Sequence, residues 1–164
     1  MENLLQELID VLEQQNATLA DMLPAAKEHN AALRKNNPPG MVAAVMRLEE
    51  VSGTLHRQDK QREKLQHELA EELGLNRQAR LSDILAGAGE SPSISRLKPL
   101  AAEIKDKIEE LSAINDINQA LAARGLQFTS RFLNIIAPSD TNTYAGSGVF
   151  KNERSTSSVL NKTI

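Results

Sequence analysis

Ile114–Ile136, INDINQALAARGLQFTSRFLNII, decides how this chain is read. At 3.6 residues per turn its apolar residues fall on two lines, where a helix resting on a single core needs only one. The first line is Leu121, Gly125, Phe128, Phe132 and Ile135; the second is Ala122, Leu126, Thr129, Leu133 and Ile136. Neighbouring residues on a helix stand about 100° apart, so the two lines together cover roughly half the circumference. A helix of a small bundle buries one such line. The other wants a partner.

The rest of the chain sets the scale. Its 164 residues and 18.0 kDa fit one domain with a modest core. Hydrophobic residues make up 40% but aromatic ones only 2%, which requires an aliphatic core. All four aromatics, Phe128, Phe132, Tyr144 and Phe150, lie in the last quarter, a clustering that points to an interaction region. The net charge of −3 is too close to balance for bulk attraction to nucleic acid. Its distribution is uneven: residues 1–23 hold five acids and no base, while residues 124–164 hold five bases against Asp140 and Glu153. Without cysteine there is no disulfide and no thiolate metal site. No basic leader followed by an apolar run is present, nor any apolar run near 18 residues. The expectation is a soluble protein, cytoplasmic in a bacterium, with no membrane insertion.

Periodicity predicts an all-α fold: an elongated, coiled-coil-like antiparallel bundle of three long helices, at about 3–35, 41–73 and 95–136, followed by a flexible C-terminal tail at 137–164. The first helical stretch carries Leu5, Leu8, Leu12, Gln15, Leu19, Met22, Ala26, His29 and Leu33 at strict 3,4 spacing. Pro24 inside it predicts a kink near Ala20 to Pro24 rather than two helices. Asn36-Asn37-Pro38-Pro39-Gly40 is the clearest break and permits a short reversal. The second stretch closes at Gly74, and the middle of its stripe is polar (Gln58, Arg62), which predicts wet or loose packing there. From Leu75 to Lys98 the pattern weakens to one or two turns over Arg80–Leu85. The length of that link suits a crossover returning along the hairpin. Ser95 is the candidate N-cap of the last helix, with Pro99 placed in its first turn. After Ile136 the residues are rich in Ser, Thr, Asn and Gly, with Tyr144, Val149-Phe150 and Val159-Leu160 as spaced anchors.

No catalytic constellation emerges. Gly87-Ala88-Gly89 lacks the lysine and preceding strand of a phosphate loop. The three histidines show no metal-ligand spacing. His29 reads as an ordinary interface residue. His56, four before Lys60, has residue types found around phospho-accepting histidines, but Gln61 stands where that motif has glycine. Carboxylate pairs such as Glu49-Glu50 and Glu109-Glu110 read as solvated helix faces. Bases alternate with acids, so no nucleic-acid stripe forms. Asn115 and Asn118 sit on the helix seam, where asparagine either fixes register or reaches solvent at the edge. By elimination the chain binds other proteins; it is no enzyme, and no cofactor is expected.

Ile114-Asn115-Asp116-Ile117-Asn118, with Leu121, Leu126, Phe128, Leu133 and Ile136, resembles the signature of the FlgN-type flagellar export chaperones. In that family an LNxxNxxL seam leads into an LxFxxxxLxxL segment near the end of a long helix. Its tail commonly carries a tyrosine–glycine motif and a short apolar terminus; Thr143-Tyr144-Ala145-Gly146 and Val159–Ile164 are similar to these. Two departures are Ile114 in place of leucine, and Ala145 between the tyrosine and the glycine. The resemblance implies a type III flagellar export chaperone for hook–filament junction proteins, whose disordered terminal helical segments it would keep apart. It implies a client surface of Asn118, Ala122, Leu126, Phe128, Thr129, Leu133 and Ile136, with Tyr144 docking on the export gate. A structural coiled-coil adaptor, its second line covered by its own copy, is the other reading of the residues. A homodimer in the absence of client is compatible with both.

Overall fold

The computed structural model describes residues 1–136. It is all-helical, with four helices: α1 (Glu2–Arg34), α2 (Pro38–Glu72), α3 (Leu81–Gly87) and α4 (Pro92–Ile136). Two compact units divide at Arg124 and Gly125, inside α4. The expected tail, with Tyr144, lies outside the described residues.

Local chemistry explains each boundary. α1 runs unbroken through Pro24. It ends in a Schellman motif: the Asn36 and Asn37 N–H groups donate to the carbonyls of Leu33 and Ala32 at 3.2 and 2.9 Å, and Asn36 takes the left-handed φ of 47°. The Asn37 side chain then caps α2 by accepting from the Gly40 N–H at 3.3 Å. Pro38 and Pro39 fill the first turn, where their missing N–H groups would be unpaired in any case. α2 thus begins three residues before the expected Met41. A second Schellman motif closes it: Gly74 N–H donates to Glu71 O and Leu75 N–H to Ala70 O, at 3.1 and 2.8 Å, with Gly74 at φ 67°.

α4 begins earlier than its periodicity suggests. Ser91 is the cap, its hydroxyl accepting from the Ile94 N–H at 3.2 Å with Pro92 as the first helical residue. Ser95 instead donates to the Ser91 carbonyl at 3.1 Å, and Pro99 lies inside the helix. The cap is therefore Ser91 and not the expected Ser95.

Ion pairs and hydrogen bonds give the helix directions within the first unit. Met1 to Glu72, Gln15 to Asp59 and Glu28 to Arg47 join α1 and α2 antiparallel. Glu2 to Ser93, Glu13 to Arg96, Asn16 to Glu103 and Asn30 to Asn118 run α4 parallel to α1. The end of α2 and the start of α4 therefore both lie at the N-terminus of α1. The link between them does not travel back along the hairpin, so the crossover expected from its length is replaced by a compact plug, α3.

That end holds the core. Leu5, Leu8, Ile9 and Leu12 of α1 meet Leu65 and Leu69 of α2, Ile84 of α3, and Ile94 and Leu97 of α4. Ile84 is fully buried, and Leu81 and Leu85 of α3 pack beside it on the same core. Farther along, α1 and α2 approach on small residues, with Ala25, Ala26, Ala32 and Ala44 all buried. The polar middle of α2 forms a ladder: Arg62 donates to Asp59 at 3.0 and 2.5 Å and to Gln66, while Gln15 of α1 reaches Asp59 at 3.5 Å. Gln58 keeps a buried amide oxygen without a protein partner.

Candidate functional site

In the second unit the described residues are the last turns of α4, and their apolar residues are bare. Leu126 is 70% exposed, Phe128 72% and Ile135 77%; Phe132, Leu133 and Ile136 are also more than half exposed. Both lines of the sequence pattern are therefore open here. Phe128 and Phe132, one turn apart, stack with ring centroids at 6.4 Å and planes 11° apart. Thr129, a polar residue on the second line, turns its hydroxyl back to the Gly125 carbonyl at 3.0 Å. This satisfies the hydroxyl within the helix and leaves the methyl on the apolar surface. The polar side of these turns carries one charge, Arg131. Soluble chains rarely leave such a contiguous apolar surface uncovered without a partner for it.

The predicted client residues do not all share this surface. Leu126, Phe128, Thr129, Leu133 and Ile136 are exposed in the second unit, and Ala122 is exposed in the first. Asn118 differs. It is 3% exposed, its amide nitrogen donating to the Ala26 carbonyl at 3.1 Å and its oxygen accepting from Asn30 at 2.7 Å. The His29 ring nitrogen lies 3.5 Å away. Asn118 belongs to the α1–α4 contact, where both ends of its amide are committed to α1. Asn115, three residues earlier, is exposed. Of the two seam readings, Asn118 takes the buried one and Asn115 the solvent one.

The first unit holds a feature that the reading of single stripes passes over. Between α2 and α4, above α1, an open trough runs in two stretches. One, about 630 Å³, is lined by Leu12, Leu19, Leu55, Ile104, Ile108 and Leu111, with the Gln15–Asp59–Arg62 ladder at its side. The other, about 590 Å³, is lined by Met22, Val45, Leu48, Ile108, Leu111, Asn115 and Asn118, with Glu49 as its one acid. Ile108 is 50% exposed and Val45 37%. Val42 and Met46 extend the bare surface along α2. The signal was in the sequence: Val42, Val45, Met46 and Leu48 make α2 apolar on two lines, as Ile114–Ile136 is.

Among the described residues no group of acids and histidines could hold a metal ion, and no helix is long and apolar enough to cross a membrane. His56 stands on the trough wall.

Comparison with known proteins adds the family. No match was found among curated proteins or solved structures. The profile of the FlgN protein family matches residues 1–151, nearly the whole chain, including α1 to α4 and the bare turns of the second unit. The chain belongs to the FlgN family of flagellar export chaperones.

Proposed function

We propose that this chaperone holds hook–filament junction proteins in the cytoplasm by their disordered terminal helical segments and delivers them to the type III flagellar export gate, without catalysis or cofactor. The bare double line at Leu126–Ile136 is the observation that carries this reading. An amphipathic client helix lies along Ala122, Leu126, Thr129, Leu133 and Ile136, in the helix-on-groove manner, with Phe128 beside it. Covering four large side chains at about 1.5–3 kcal/mol each yields on the order of 6–12 kcal/mol gross. Ordering of the client and association entropy offset much of that, leaving micromolar to nanomolar binding that can be released. Asn118 takes no part, because its amide is already committed to α1.

The remaining parts follow the same division. The up-down-up order of α1, α2 and α4 serves as a three-helix antiparallel bundle, with α3 as its plug. Residues 137–164 serve as a tail whose Tyr144 docks on the gate.

The test is Leu126→Glu combined with Leu133→Glu. Both side chains are exposed, so far-UV circular dichroism should be unchanged while binding to a purified hook–filament junction protein falls at least a hundredfold. Retained binding in the folded double variant refutes the assignment.

A further inference from the structure

The trough of the first unit lacks a helix, and the last turns of α4 are a helix lacking cover. We propose that a second copy of this chain supplies the match: its residues 125–136 lie in the trough between α2 and α4, and the exchange is reciprocal. This inference rests on the chaperone reading, because the same strip is then either in the dimer or on the client.

Three observations support a second copy as the occupant. The first is register. The trough side of α4 carries Ile104, Ile108, Leu111 and Asn115, and the 3,4 spacing continues through Ala122 into Leu126, Thr129, Leu133 and Ile136. Each row is made of large aliphatic side chains at the same 3,4 spacing, so the strip of one copy can pack large against large on the trough side of the other. The second is charge. Residues 1–124 hold 20 acids against 15 bases, whereas residues 125–136 hold only Arg131. A cationic strip therefore enters an acidic unit. The third is area. Six strip side chains, half to three-quarters bare, present on the order of 700 Å². Two strips in two troughs bury on the order of 2,000 Å², within the range of stable dimers, whereas one strip in one trough sits at its lower edge. Reciprocity also closes the assembly at two copies and prevents a filament. The client then displaces the partner's strip, so the dimer is a stored form of the chaperone.

The experiment is sedimentation equilibrium on the full chain without client, wild type and two variants. Ile108→Glu spoils the trough, with Val45→Glu as its substitute should helicity fall; Leu126→Glu with Leu133→Glu spoils the strip. The wild type is expected at dimer mass and each variant alone at monomer mass. An equimolar mixture of trough and strip variants retains one intact contact and is expected to regain dimer mass. A monomeric wild type, a dimeric Ile108→Glu variant (strip against strip) or a mixture that stays monomeric overturns the proposal. A trough variant that is monomeric yet fails to bind a hook–filament junction protein would instead overturn the chaperone site and leave the exchange standing.

Discussion

At Asn118 one side chain settles how two helices align. Its amide spans α1 and α4 through the Ala26 carbonyl and the Asn30 side chain, contacts available at one register only. Asn118→Leu removes these bonds and leaves a half-buried Asn30 amide without its acceptor. The expected loss is about 1–3 kcal/mol, read as a lower urea midpoint; an unchanged or higher midpoint would show that the amide carries no net stability. The sequence placed Asn118 on the seam but could not choose between register and solvent. That choice depends on what stands opposite, and a carbonyl one helix away leaves no trace in local spacing. Thr129 was legible in the same limited sense: its place on an apolar line is a matter of period, while the back-bond that makes it apolar is a matter of geometry.

Among the elements, α3 is the shortest and has the largest effect for its length. Its seven residues put Ile84, fully buried, among leucines of three other helices. Ile84→Ala should cost about 2–5 kcal/mol by lost transfer energy and an unfilled cavity, measurable by thermal or denaturant unfolding. A cost below 1 kcal/mol would mean that α3 merely covers a core complete without it. One or two turns at Arg80–Leu85 are readable from the sequence, yet their purpose is not. A link of that length fits a crossover equally well until the directions of α2 and α4 are known. The long helices were legible because strict 3,4 spacing is insensitive to partners. Their starts were not, since several serines and prolines satisfy the same capping rule.

For the whole chain, periodicity shows that three long helices exist and that one of them is apolar on two lines. It does not show that the core is unevenly placed. Large leucines and isoleucines gather where α1 begins, whereas the other half of the α1–α2 hairpin meets through alanines beside an open trough. Burial per residue therefore falls along α1, and with it the free energy needed to open each turn. Amide hydrogen exchange should reveal the gradient: slow around Leu5–Leu12, at least tenfold faster around Met22–Ala32, and slowed in the latter once a helix occupies the trough. Uniform protection along α1 would contradict it. A chain built this way is anchored at one end and compliant at the other, so a binding event can tighten half the molecule without the fold as a whole having to reform.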